Sequence, residues 1–134
     1  MSESTITVRR LTALSGALRV GVGLFALAKP NTLVTLWVGR VRPQKSSAVL
    51  GRALGARDVA IGAGTVTSAF SDQPVTGWLV AGGTADAVDA LATVGSWRRL
   101  PRVRRGLVLA AAGGSTAAAA ALAALVAWTE GTGR

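Results

Sequence analysis

Apolar residues along the chain fall into four long stretches separated by short polar or basic segments. The stretches cover approximately residues 11–28, 47–70, 75–97 and 106–128. Each meets or nearly meets the ~20 residues that a helix needs to cross a hydrocarbon core. The pattern therefore predicts an all-α integral membrane protein, a four-helix antiparallel bundle that forms a single transmembrane domain over residues 1–134.

The segments between the stretches predict how the helices connect. Pro30 ends the first helix, and residues 31–41 are expected to lie along the membrane surface as a short amphipathic segment. The polar turn "SDQPVTG" would make the second and third spans an antiparallel pair, and "RRLPRVRR" would form the last turn.

The four tryptophans fit this layout. Trp78 and Trp97 are 19 residues apart, which corresponds to about 28 Å along a helix. We therefore expect their rings at opposite membrane interfaces, where indoles are enriched. Trp128 ends the fourth span and Trp37 precedes the second.

Composition narrows the chemistry available to the protein. Half of the residues are hydrophobic, only 4% are aromatic and 17 are glycine, a balance that suits helices packed closely in lipid. The chain has no Cys, His or Tyr. Disulfides and thiol chemistry are therefore excluded, the usual zinc ligands are missing, and we expect neither a metal nor a cofactor.

The formal charge of +9 is confined largely to the junctions between apolar stretches. This placement indicates topology signals and contacts with anionic lipids rather than nucleic-acid binding. The loop between the first two spans and the loop between the last two must share one side of the membrane. Together they hold nine basic residues: Lys29, Arg40, Arg42, Lys45, Arg98, Arg99, Arg102, Arg104 and Arg105. The other side holds three: Arg9, Arg10 and Arg134. We predict a multi-pass protein of the bacterial cytoplasmic membrane with cytoplasmic basic loops and both termini outside.

A signal peptide is the alternative for the first span, because Arg9 and Arg10 precede an apolar stretch. No clean cleavage site follows and Arg19 interrupts the apolar region, which favours a retained span.

Six ionisable residues fall inside the predicted spans, three of each sign: Arg19, Arg52, Arg57, Asp58, Asp86 and Asp89. Counting ~1.5 Å per residue from the cytoplasmic end places all but the shallower Arg52 at a similar depth. Isolated charges at that depth are costly, so they must pair or line a hydrated cavity. We expect Arg19 to pair with Asp86 or Asp89, and Arg57 to pair with the remaining aspartate.

Helical phase puts most of these charges on faces rich in small residues. Asp58 shares a stripe with Gly55 and Gly62, and Gly82 shares one with Asp86 and Asp89. Arg57 points away from the glycine stripe of its span, and Arg52 is placed to extend toward the cytoplasmic interface.

With these residues in place, the chain resembles a family of small four-helix bacterial membrane proteins of unknown function, frequent in actinobacteria. It is more distantly similar to DoxX-type membrane proteins. The matching elements span about residues 16 to 100: Arg19 with Gly23 and Pro30, then Arg52-x-x-Gly55-x-Arg57-Asp58-x-x-x-Gly62, then Trp78 followed by Asp86-x-x-Asp89. The resemblance implies a topology and no mechanism.

Three functions are compatible with this pattern. The favoured one is a structural or accessory subunit, in which ion pairs fix helix partners and register, with lipids and another membrane subunit as partners. The alternative is an enzyme or binding protein for a hydrophobic small molecule, with Asp58, Asp86 and Asp89 transferring protons in an isomerase or cyclase type of reaction and arginine holding a substrate oxygen. The third is proton-coupled transport. A ligand site would need a cavity lined by Gly55, Gly62 and Gly82, whereas a structural network would be closed.

Overall fold

The computed structural model describes residues 3–38, 45–71, 73–96 and 102–131. All regular structure in these residues is helical, and five helices follow one another along the chain. They are α1 (Glu3–Ala28), α2 (Pro30–Val38), α3 (Lys45–Ala69), α4 (Thr76–Gly95) and α5 (Arg102–Gly131).

Proline sets the boundary between α1 and α2. Pro30 is the first residue of α2, a position that tolerates proline because its missing N–H would have no partner within the helix. Lys29 lies between the helices, donates from its N–H to the Phe25 carbonyl and accepts from the N–H of Leu33. Within the segment predicted at residues 31–41, residues 31–38 belong to a helix that starts at Pro30, and residues 39–41 lie outside the described residues.

α1 and α3 pack against each other more extensively than any other pair of helices. Their contact is antiparallel, because Gly16 meets Gly62 and Gly23 meets Gly55. A methyl group on Gly62 would lie 2.6 Å from the Gly16 carbonyl oxygen, and one on Gly55 would lie 2.7 Å from that of Gly23. Positions 55 and 62 need glycine, because the backbones of α1 and α3 approach too closely there for a side chain.

α4 packs mainly on α5, also in antiparallel fashion. Val75 and Leu79 form a small apolar cluster with Val126 of α5 and Val8 of α1. α3 touches α4 less extensively, although the turn between them is short. The two helices do run antiparallel as predicted, since Gly64 meets Trp78 and Arg57 meets Asp89, but α1 with α3 and α4 with α5 form the more extensive pairs.

The buried interior is small, and many large hydrophobic side chains lie at the surface. The buried side chains are mostly small or polar, and Thr12 is the largest that is fully buried. By contrast, 18 large hydrophobic side chains are exposed among the residues whose burial is described, including Leu18 at 64%, Val88 at 55% and Leu91 at 70%. They occur on every one of the five helices.

The helices differ from the predicted spans at their ends, and α5, for example, runs from Arg102 to Gly131 rather than over residues 106–128. α1 begins at Glu3 rather than near residue 11, and α4 ends at Gly95 rather than at residue 97. Within the described ranges, Thr5–Ala28 is the one helical segment that is long and apolar enough to cross a membrane, and Gly113–Trp128 is a shorter apolar segment. Multi-pass insertion, and with it the membrane bundle, stays a prediction.

Candidate functional site

Five charged side chains from three helices form one continuous chain of ion pairs. In order they are Asp86 of α4, Arg19 of α1, Asp58 and Arg57 of α3, and Asp89 of α4. Positive and negative groups alternate along this chain, which we call the charge chain. Its side chains are between 12% and 29% exposed.

Arg19 joins α1 to both α3 and α4. Its Nη1 donates to Asp58 Oδ1 at 3.0 Å, and its Nη2 donates to Asp86 Oδ2. Nη2 also approaches the carbonyl oxygen of Gly82 at 3.4 Å. One planar guanidinium thereby fixes two other helices, which a lysine ammonium could not do with the same geometry.

Arg57 makes the second bridge between α3 and α4. Its Nη1 and Nη2 donate to the two carboxylate oxygens of Asp89 at 3.2 and 2.8 Å, a two-point contact of the strong kind. Its Nε and Nη2 also reach Asp58 Oδ1 at 3.4 and 3.3 Å. Helical phase placed this side chain away from the network, but a long arginine stem extends sideways to Asp58 and Asp89.

Asp58 holds the centre of the charge chain. Its Oδ1 accepts from both arginines, so one carboxylate oxygen links the two bridges. The predicted pairings are confirmed, because Arg19 pairs with Asp86 and Arg57 pairs with Asp89. The sharing of Asp58 by both arginines was not foreseen.

Glycine contacts frame the pair formed by Arg19 and Asp58. Arg19 lies between Gly16 and Gly23 in α1, and Asp58 lies between Gly55 and Gly62 in α3. Because α1 and α3 touch backbone to backbone on either side of the pair, the two charged groups are held at a fixed separation. The Arg19–Asp58 pair therefore lies within the close backbone contact between α1 and α3.

The three glycines proposed as ligand-lining residues do not form a common cavity. Gly55 and Gly62 lie against the backbone of α1, which leaves no room for even a methyl group. Gly82 faces the Arg19 guanidinium, and a methyl group there would lie 3.6 Å from its central carbon. The cavity that a ligand site would need is therefore not formed at Gly55 and Gly62, because helix packing fills the space there.

Arg52 is not part of the charge chain. It is exposed on α3, and no ion pair joins it to any other described residue. Trp78 is 39% exposed, and its ring lies against Gly64 of α3. Trp97 and four of the nine predicted basic loop residues, Arg40, Arg42, Arg98 and Arg99, lie outside the described residues.

The arrangement restricts what the aspartates can do chemically. Each of the three carboxyl groups is held by at least one guanidinium, so each already has a charged partner. Among the described residues, no cluster of three His, Cys, Asp or Glu side chains is placed to hold a metal ion.

Comparisons with protein-family models, with curated proteins and with solved structures find no match to this chain.

Proposed function

We propose that this protein is a multi-pass integral membrane protein with four spanning helices and one interfacial helix, α2. In this proposal the charge chain is a structural device that selects helix partners and fixes their register. The protein would serve as a structural or accessory subunit, in keeping with the resemblance to small four-helix membrane proteins of unknown function.

The outward-facing apolar side chains support the membrane location. Water would have to solvate 18 exposed large hydrophobic side chains, whereas soluble monomers rarely expose apolar patches beyond a few hundred Å². Small and polar residues lie mostly inside, and many leucine and valine side chains lie outside. This distribution is expected where lipid is the solvent and helices approach one another through small residues.

The charge chain also explains why α3 and α4, unlike the Thr5–Ala28 segment of α1, are not long and apolar enough by themselves to count as spanning segments. Arg57 and Asp58 interrupt α3, and Asp86 and Asp89 interrupt α4. Each ionised side chain at the centre of a membrane costs roughly 2.5–3.5 kcal/mol on insertion scales. Pairing offsets this cost once the helices have assembled, so inserted α3 and α4 would be stable only beside α1.

The closed geometry of the charge chain is the observation that carries the structural role. A purely structural network should have its charges paired and its space filled, and here all three aspartates are paired and Gly55 and Gly62 are filled by α1. An enzyme or proton-coupled transporter would instead need a carboxyl group released from its arginine. Nothing in the geometry favours these alternatives over the structural role.

The distribution of basic residues supports the orientation. Nine basic residues fall on the side of the two long loops and three on the side of the termini, which by the positive-inside rule places both termini outside the cytoplasm. The expected partners are membrane lipids and another membrane subunit.

Paired replacement at one end of the charge chain tests the structural role. Arg57→Met should leave Asp89 unpaired, and Asp89→Leu should leave Arg57 with Asp58 alone. Each should lower the amount of folded protein in the membrane fraction, because an unpaired buried charge is strongly destabilising. The double variant removes both charges and should restore most of that amount, since apolar replacement of a whole pair is often tolerated.

The same experiment can overturn the proposal. If Arg57→Met and Asp89→Leu each accumulated in the membrane at the level of the unaltered protein, the pair would have no structural role. The Asp89 carboxyl group would then have a role other than holding the helices together.

A further inference from the structure

We propose that Arg52 of α3 binds the phosphate group of an anionic phospholipid, whose acyl chain lies along an apolar seam between α1 and α3. This inference rests on the membrane location proposed above and deepens it, because it names the class of lipid and the residue that selects it. The apolar seam lies on the flank of the α1–α3 pair that faces away from α4, and it is formed by Val20, Leu24, Ala56, Val59 and Ala63.

Arg52 is a charged residue on an apolar surface. It is exposed and, unlike Arg19 and Arg57, has no ion pair with any described residue. Val49, one turn earlier on the same helix, is 66% exposed, and Ala56, one turn later, is exposed as well. A charge that faces lipid without a partner is costly, so Arg52 needs an anion.

The acidic residues of the chain are too far away to supply this anion. Three of the six are already paired within the charge chain. The other three come at the start of α1, just after α3 in sequence and near the end of α5: Glu3, Asp72 and Glu130. Arg52 is 17 residues from the end of α3, which corresponds to about 26 Å along the helix. The anion must therefore come from outside the chain, and the cytoplasmic leaflet supplies anionic lipids.

Helical phase places Arg52 on the side of α3 that faces away from α4. Gly55 marks the line along which α3 touches α1. At ~3.6 residues per turn, Asp58 lies about 60° to one side of this line and Arg52 about 60° to the other. Because Asp58 shares its side with the ion pairs that lead to α4, Arg52 lies on the opposite flank of the α1–α3 pair.

The apolar seam continues from Arg52 along this flank. Val20 of α1 and Val59 of α3 lie at its base, where each would contact a methyl group placed on a glycine of the other helix. Leu24 beside them is 53% exposed. From Arg52 to Ala63 the seam runs about 16 Å along α3, about half of the ~30 Å hydrocarbon core. This length matches one acyl chain in one leaflet of the membrane.

The arginine side chain suits the headgroup of such a lipid. Its planar guanidinium donates two parallel hydrogen bonds to phosphate oxygens, and its aliphatic stem lies along apolar surface while the charge extends toward the headgroups. Arg52 is seven residues from the start of α3, about 10 Å along the helix. A guanidinium near the membrane interface with an apolar seam beneath it fits a phospholipid better than a free anion.

Native mass spectrometry of the full-length protein in a nonionic maltoside detergent tests this proposal. The probes are dioleoyl phosphatidylglycerol and dioleoyl phosphatidylcholine, which share their acyl chains and a phosphate group but differ in net charge. We expect the first bound phosphatidylglycerol to be held about tenfold more tightly than phosphatidylcholine, the factor expected for one charge-assisted hydrogen bond. Excess inorganic phosphate should not displace it, because the site also needs the acyl chain.

Two pairs of variants assign the binding to Arg52 and the apolar seam. Arg52→Gln should weaken phosphatidylglycerol binding by about tenfold and leave the melting temperature in detergent unchanged. Arg10→Gln, at an exposed arginine near the other end of α1, should stay within about twofold of the unaltered affinity. Ala56→Trp fills the seam and should weaken the binding of both lipids several-fold, whereas Val88→Trp on the exposed face of α4 should not.

Equal binding of the two lipids by the unaltered protein would overturn the proposal, as would an unchanged lipid preference in Arg52→Gln. Full displacement by inorganic phosphate would indicate a site for a free anion and would overturn the assignment to a lipid. Carbonate extraction of membranes from the expressing cells separates these failures from failure of the membrane location. A protein that resists extraction but binds both lipids equally loses only the Arg52 site, whereas a protein released by carbonate would overturn the membrane location and the lipid site together.

Discussion

Arg19 is the residue whose loss should disturb the structure most, because it alone joins three helices. In Arg19→Gln, the carboxyl groups of Asp58 and Asp86 lose the guanidinium between them. Asp58 keeps its contact with Arg57 at 3.3 Å, whereas Asp86 keeps no ion pair with any described residue. The variant thus leaves one aspartate unpaired in a position that is only 12% exposed.

The size of the effect follows from these contacts. A hydrogen bond to a charged group contributes about 1.5–3 kcal/mol, and removing one partner of a buried ion pair costs about 3–5 kcal/mol. The partial exposure of Arg19 and Asp58, 18% each, reduces this figure somewhat through solvent screening. We expect Arg19→Gln to lower the free energy of unfolding by about 3 kcal/mol, which corresponds to a fall of about 10 °C in melting temperature.

Arg52→Gln is the matched control. Arg52 is an exposed arginine of α3 without an ion pair to any described residue, so its replacement should change stability by no more than about 0.5 kcal/mol. Tryptophan fluorescence during thermal unfolding in detergent reports both variants. Equal melting temperatures for Arg19→Gln and Arg52→Gln would refute the reasoning, since they would show that the bridge to α3 and α4 contributes nothing.

The remaining predictions concern helix packing and orientation. Gly62→Ala should destabilise the protein by more than 1 kcal/mol, because the new methyl group would lie 2.6 Å from a carbonyl oxygen of α1. Gly21→Ala is the control, because a methyl group there meets open space, and it should be neutral or stabilise the protein by up to about 1 kcal/mol. A lower melting temperature for Gly21→Ala than for Gly62→Ala would exclude the close contact between α1 and α3. The chain has no native cysteine, so single cysteines report orientation directly: a membrane-impermeant maleimide added to intact cells should label Gln73→Cys and spare Lys45→Cys. Labelling of Lys45→Cys alone would reverse the predicted topology.

The meeting of the charged residues could be predicted from the sequence, because depth and helical phase follow from residue number alone. Arg19 and Asp58 share the small-residue faces of their helices, and these faces do form the α1–α3 contact. The role of Arg57 could not be read in the same way. Phase gives the direction of the first side-chain bond, whereas a long arginine side chain turns through several more bonds before its charge finds a partner.

Helix neighbours and helix ends were harder to predict. A short turn joins α3 to α4, which favours their pairing, yet α4 packs mainly on α5. The reason is that the fit of whole helix surfaces decides which faces meet. The start of α1 at Glu3 was missed because hydrophobicity marks the part of a helix that suits lipid, and the polar turns before residue 11 are helical as well. The buried hydroxyl of Thr12, which has no hydrogen-bond partner among the described residues, has no signature in sequence, since most helical threonines bond to their own backbone.

The depth of α4 in a bilayer tests the proposed membrane location directly, because we propose that this helix spans the membrane although it carries Asp86 and Asp89. A nitroxide attached at Val88→Cys would project from the outward face, where Val88 is 55% exposed. In lipid vesicles we expect the Val88 label to be highly accessible to oxygen and poorly accessible to a water-soluble nickel complex. A label at Gln73→Cys in the turn should be poorly accessible to oxygen and highly accessible to the nickel complex. High accessibility of the Val88 label to the nickel complex would place α4 in water and contradict the membrane-spanning assignment.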